Sequence, residues 1–429
     1  MQLALGILLL VFFLAGVIAV MRGQSPIIVL MLLAILWAAA TGAPLKEVLG
    51  KVIDGGATAY AGAVIIIVFG AWFGQILVQT GIAESLIRSA VELAGDRPLI
   101  VAWVVSLVTA FLFTSLYGVG AAIGVGVIAL PIMMSMGIPP KVAAPAFTMA
   151  IGAGNYLNLV EFAIFQKFFP GIKYEGAALR FFVVGFAVYL GCALAMSAWN
   201  LARAGTRRFA AVAASPAAST SWTRVPRWAY LAPAVPLAAV AFLKWPMIPA
   251  FLLGILFALL ATGRGRSLRS TVDLFHKAFY DAFPDIATIA ALWIICGMLI
   301  VAGQLPHVQQ ALQPIFAPIL PKTPLQGAVF FAVLAPLAIY RGPFAVVGTG
   351  AALLSIMLQA QYLAIPYLYA VWRGPLCLQG SQDPTNSWTL WTLGFTKVTH
   401  KDFLKTALPW GWLMVAVNAA IAYVMLGGS

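Results

Sequence analysis

The sequence predicts an all-α, polytopic membrane protein built from two inverted repeats, and three observations predict it. Hydrophobic residues fill 63% of the 429 positions and charged residues 9%, with a mean hydropathy of +1.00. Soluble domains carry about 25% charged residues. Apolar runs such as LALGILLLVFFLAGVIAV recur down the chain, each near the roughly 20 residues that a helix needs to cross hydrocarbon. The chain also matches itself at an offset of 223 residues, which pairs Tyr117 with Tyr340, Gly74 with Gly297, Ala122 with Ala345 and Met134 with Met357 without a gap. A β-barrel would show short alternating strands instead.

Residues 2–21 form the first apolar run, longer than the core of a cleaved signal, and 26–42 the second. The runs 225–244 and 249–265 repeat them at the same offset. Residues 98–136 are too long for one helix and are interrupted at Thr114-Ser115-Leu116-Tyr117-Gly118. Two half-length helices meeting at such a tip describe a re-entrant hairpin, and 324–359, interrupted at Tyr340-Arg341-Gly342-Pro343, is its counterpart. The next helix of each half is broken, 141–166 around Gly152, Gly154, Asn155 and Asn158, and 363–389 from Gln379 to Asn386. Non-helical backbone at that depth is tolerated only where protein or a water-filled cavity satisfies it. The polar stretch 203–227 links a first repeat, 1–202, to a second, 228–429. Each repeat then holds about five spans besides its hairpin and broken helix.

A formal charge of +13 would point to nucleic acid in a soluble protein. Here the basic residues gather in short loops, which is a signal of topology, and no nucleic-acid partner is expected. Arg203, Arg207, Arg208, Arg224 and Arg227, then Arg264, Arg266 and Arg269, then Lys397, Lys401 and Lys405 all fall on one side. Placing that side in the cytoplasm of an inner membrane puts the N-terminus outside and turns the halves upside down relative to each other. Inverted repeats are the arrangement of secondary transporters. Cys192, Cys296 and Cys377 lack CxxC spacing, so neither a metal nor a disulfide framework is read from them.

With these parts in order, the sequence resembles the ion transporter superfamily of anion and cation permeases. That group includes the divalent-anion symporters, the gluconate and citrate permeases and the large subunits of TRAP transporters. The likeness runs through FGQILVQTGIAESLIRSAVELAG, the tip TSLYG and LPIMMSMGIPPKVAAPAFTMAIGAGNYLN, and covers the order of parts in most of both halves. It implies that the tips and breaks form the substrate and coupling-ion sites. It also implies an elevator motion of a transport domain against a homodimeric scaffold. The Ser-Asn-Thr tips of the sodium-dependent dicarboxylate members are replaced by Thr114-Ser115-Leu116 and Ile339-Tyr340-Arg341, so the resemblance leaves substrate and coupling ion open.

Arg341 and Arg373 are the two basic residues set deep in apolar sequence. A buried ionisable group faces a cavity or a partner by default, and a guanidinium grips a carboxylate through two parallel bonds. The alternative for Arg341 is a structural arginine satisfying hairpin carbonyls, and Arg373 has Asp383 or Glu161 as a partner instead of substrate. Glu161 and Asp383 are the two intramembrane carboxylates, either of which could carry a proton. Alternatively Asp383, with Thr385 and Asn386, offers hard oxygens to sodium as a coupling ion. Asn155 and Asn158 either cap the broken helix or bind ligand. Asp281 and Asp285 lie on one face of a helix entering the membrane and read as structural.

The substrate-lining set is therefore Ser115, Tyr117, Gly118, Asn155, Asn158, Tyr340, Arg341, Gly342, Arg373, Ser381 and Asn386, and the coupling set is Asp383, Thr385, Gly154 and Glu161. His276, His307 and His400 are far apart, and HExxH, GxSxG and P-loop motifs are lacking, which argues against an enzyme. No resident cofactor is expected. The function expected is proton- or sodium-coupled symport of a small organic anion, a carboxylate, across the bilayer. A sodium/proton antiporter is the alternative.

Overall fold

Apolar side chains cover much of the outside of the molecule. On α1 (Gln2–Met21), Leu3, Ile7, Val11, Leu14 and Ile18 are all exposed, and on α2 (Pro26–Ala40) so are Ile28, Leu32 and Leu36. Patches of that extent would drive association in water, so hydrocarbon is the outer solvent of these helices. The computed structural model describes residues 2–166, 168–169, 171–204, 224–264, 268–346 and 350–428. Most of the basic linker, with Arg207 and Arg208, lies outside the described residues, as does Arg266.

Among the described residues every regular element is helical. After α2, a stretch with π-helical geometry, Val48–Gly55, leads into α3 (Ala61–Gln79). The amphipathic α4 (Ile82–Ala94) is followed by α5 (Pro98–Phe113), α6 (Val119–Ser135), α7 (Pro140–Asn155), α8 (Leu159–Gln166) and α9 (Gly176–Arg203). The second half runs through α10 (Ala234–Leu243), α11 (Met247–Ala261), α12 (Leu268–Gly303) and α13 (Pro306–Phe316). It closes with α14 (Pro324–Leu334), α15 (Gly350–Ala360), α16 (Ile365–Gln382), α17 (Ser387–Thr396) and α18 (His400–Leu426). Several of these helices are long and apolar enough to span a bilayer, α9, α12 and α18 among them. The chain is a multi-pass helical membrane protein.

One expected span differs. The run 225–244 forms a 3-10 turn, Arg227–Leu231, and then α10, only 10 residues long. Pro226, Pro233 and Pro236 each lack the N–H that a continuous helix needs. The counterpart 2–21 has no proline and is a single helix.

The helix ends that matter most have local causes. Gly118 takes φ +98° between α5 and α6, a region that disfavours any side chain. Pro336 ends α14, and the chain continues as a 3-10 segment, Ala335–Arg341, in which Tyr340 and Arg341 take φ of 57° and 58°. Two successive non-glycine residues in the left-handed region are costly, and such geometry persists only where surrounding contacts impose it.

The deepest elements are α7 and α16, which pack on each other. Every residue of α7 from Val142 to Asn155, and of α16 from Tyr367 to Gln382, is buried. Small residues make this possible. A β-carbon on Gly154 would lie 2.5 Å from the Ala110 carbonyl oxygen of α5, and one on Gly152 would lie 2.3 Å from the Tyr189 ring of α9. Close backbone approach of this kind is how helices gain contact where no water drives them together.

Candidate functional site

Among the described residues the buried Lys and Arg are Arg341 and Arg373, and the buried Asp and Glu are Glu161 and Asp383. Arg341 lies at the second tip, Glu161 and Asp383 at the breaks and Arg373 within α16, and the structure shows how the chain arranges them.

The first break is tied to the first tip by Asn158. Its amide Nδ2 donates to the carbonyls of Phe113, at 2.9 Å, and Leu116, at 2.8 Å, which α5 leaves open as it ends. Its Oδ1 accepts from the N–H groups of Val160, at 2.9 Å, and Glu161, at 3.2 Å, capping the start of α8. All of its hydrogen-bonding capacity at this junction goes to backbone, which is the capping role. Ser115 is also turned to backbone, donating to the Pro233 carbonyl. Gly154 serves the approach of α7 to α5 described above.

The second break is tied to the second tip by Asp383. Its Oδ1 accepts from both the N–H and the hydroxyl of Thr385, each at 2.8 Å, and its Oδ2 accepts from the backbone N–H of Arg341 at 3.1 Å. Asn386 Nδ2 and Trp388 Nε1 both donate to the Gly380 carbonyl, at 3.1 and 2.6 Å. Oxygens of this break, the candidates for sodium, are thus largely occupied by protein donors. Ser381 points away from the break, to the Cys377 carbonyl at 2.7 Å and to the Tyr189 hydroxyl. Gly342 is required by space, since a β-carbon there would lie 2.2 Å from the Leu337 carbonyl oxygen.

Arg373 is 1% exposed and reaches from α16 into the first break. Its Nη2 donates to the Asn155 carbonyl at 2.5 Å, and its Nη1 lies 3.7 Å from Glu161 Oε2. The guanidinium sits over the rings of Tyr156, at 5.3 Å, and Phe165, at 5.8 Å. Of the two tip tyrosines, Tyr117 is buried and Tyr340 is partly exposed.

Tyr117, Gly118, Arg341 and Asn386 line one cleft, with Trp388 edge-on to Tyr117 at 6.3 Å between ring centroids. Asp285 of α12, read from the sequence as structural, lines the same cleft. Its Oδ2 accepts from Gln75 Nε2 of α3 at 2.5 Å, and its carboxylate lies against Gly120 in the first turn of α6. One turn away, Gln79 Nε2 donates to Asp281 at 2.8 Å. The signal was present in the i, i+4 spacing of two glutamines on one apolar helix and two aspartates on another.

No family model and no curated protein matches the sequence. Among solved structures, the chain is similar to the YdaH transporter of Alcanivorax borkumensis, described as having an unusual topology. The TM-score is 0.64, with 94% of this chain and 98% of that chain covered at 16% identity. The fold is thus that of a polytopic membrane transporter.

Proposed function

We propose that this protein is a secondary active transporter that carries a small organic anion, a carboxylate, together with a coupling ion. The observation that carries the reading is the placement of two buried guanidiniums, Arg341 in one cleft with Tyr117 and Asn386, and Arg373 at the first break beside Glu161 and Asn155. Holding two cations away from water is expensive unless anions compensate them. Glu161 stands 3.7 Å from Arg373, and Asp383 accepts the backbone N–H of Arg341, so the four buried charges balance and an anion enters this site together with a compensating cation.

In this reading the tips and breaks bind substrate, and the two halves are inverted repeats of one unit, as the common offset of their elements supports. An elevator motion and a homodimeric scaffold follow from the resemblance to the ion transporter superfamily. Protons are the preferred coupling ion, because the sodium-associated tips are replaced and the oxygens around Asp383 are already engaged. The test is a thermal-shift screen of purified protein against acetate, succinate and citrate, with and without sodium. A ligand at about 100 times its Kd adds roughly 2.7 kcal/mol to the folded state. Absence of a dose-dependent shift with any carboxylate at any pH would sink the reading.

A further inference from the structure

We propose that Glu161 is the proton-binding carboxylate of the transport cycle, and that its protonation hands Arg373 over to the carboxylate of the substrate. The proposal rests on the anion-transport reading given above and assigns its coupling step to one pair of residues.

The geometry is that of a loose pair. Arg373 Nη1 stands 3.7 Å from Glu161 Oε2, beyond the 2.7–3.2 Å of a hydrogen bond. Neither Nη1 nor Nε of Arg373 has a hydrogen-bond partner among the described residues, although the residue is 1% exposed. Asn155 Oδ1, beside it, is likewise without a partner. Buried donors are normally satisfied, so two idle guanidinium N–H positions beside an idle amide oxygen mark a place for a polar ligand. The fixed bond from Nη2 to the Asn155 carbonyl holds the guanidinium in position while its other donors change partner.

Charge decides the order of events. With Glu161 ionised, the pair is neutral. A substrate carboxylate added to Arg373 would leave one uncompensated negative charge in a low-dielectric site, which is strongly disfavoured. A proton taken from the aqueous side onto a Glu161 oxygen restores neutrality, forming one O–H bond and breaking none in the protein. Proton and anion therefore enter together, and re-ionisation on the other side returns Arg373 to Glu161 as both leave. The titratable groups facing the pair are Tyr117 at the first tip, Tyr369 and Cys377 on α16, Tyr156 after α7, and Tyr174. None of them supplies a second carboxylate, and α3, which packs on α8, carries no titratable residue. Asp383 is a poor competitor for the role, because its oxygens already accept three hydrogen bonds from Thr385 and Arg341.

Two measurements test this. Infrared difference spectra of wild type without ligand should show a protonated-carboxyl band rising as pH falls, lost in Glu161→Gln and kept in Asp383→Asn. Binding of acetate, succinate or citrate to wild type should weaken about tenfold per pH unit above that titration, as one linked proton requires. The same binding to Glu161→Gln should be flat with pH and tight throughout. A band unchanged in Glu161→Gln, or a wild-type carboxylate affinity independent of pH, would overturn the proposal. Should no carboxylate bind at any pH while the Glu161 band still titrates, the anion reading fails and the proton site stands.

Discussion

The carboxylate of Asp285 occupies the space that a side chain on Gly120 would fill, since a β-carbon built on Gly120 would lie 2.0 Å from both of its oxygens. Asp285 thereby sits at the N-terminus of α6 from another helix, with Gln75 donating to its Oδ2. A negative charge at a helix N-terminus is favourable, and here it ties the first tip to α12.

Gly120→Ala should push that carboxylate out of its seat. Asp285→Asn keeps the shape but loses the charge that strengthens the Gln75 bond, a charge-assisted bond being worth about 1.5–3 kcal/mol. Both variants should melt lower than wild type in detergent, by several degrees. A Gly120→Ala protein that melts at the wild-type temperature would show that the contact does not hold the tip.

Asn158 offers a sharper contrast. Asn158→Ala leaves the Phe113 and Leu116 carbonyls and two N–H groups without partners, a loss of at least about 2 kcal/mol. Asn158→Asp retains an oxygen for the cap but turns a second oxygen against two carbonyls. Thermal unfolding should therefore rank aspartate no better than alanine. Recovery of wild-type stability in Asn158→Asp would contradict the clip geometry.

At Arg341, lysine preserves charge and loses the planar two-point grip. Arg341→Lys should reduce uptake in proteoliposomes nearly as far as Arg341→Ala, with both proteins folded. Equal carboxylate affinity in wild type and Arg341→Ala would remove this side chain from the binding site.

Asp383→Asn has only one oxygen to serve Thr385 and the Arg341 N–H together. Amide exchange across 339–345 should quicken and transport should slow, because the second tip loses its anchor. The pH slope of carboxylate binding should stay as in wild type. A slope abolished by this change would move proton coupling from Glu161 to Asp383.

Outside the membrane-spanning segments, Lys244 lies 2.9 Å from Glu175 and holds its carboxyl below the ordinary value. A depressed carboxyl contributes stability above its unfolded value and loses it as pH falls through the folded one. The pair is exposed, so its contribution is small and screened by salt. Glu175→Gln should leave melting at neutral pH nearly unchanged and flatten the acid limb slightly at low ionic strength. A melting loss of many degrees at neutral pH would mean that the residue does more than pair with Lys244.

The membrane class was legible in composition because the bilayer selects apolar surface wherever a helix faces it, and hydropathy records that choice residue by residue. Helix interruptions at Gly118 and Pro384 were legible for the same local reason, since glycine and proline act on their own backbone. So were Arg341, Arg373, Glu161 and Asp383, because a charge within apolar sequence stands out without knowledge of its neighbours. Partnership was legible only as alternatives. Of the two carboxylates open to Arg373 the fold chooses Glu161, Asp383 meets the Arg341 backbone rather than an open cation site, and Asp285 reaches Gly120. Each of these depends on how α16 turns against α7 and α12 against α6, a rotation that many apolar side chains set together and no single stretch encodes. The local pattern determined which residues are buried and charged, and tertiary packing decided which of them face one another.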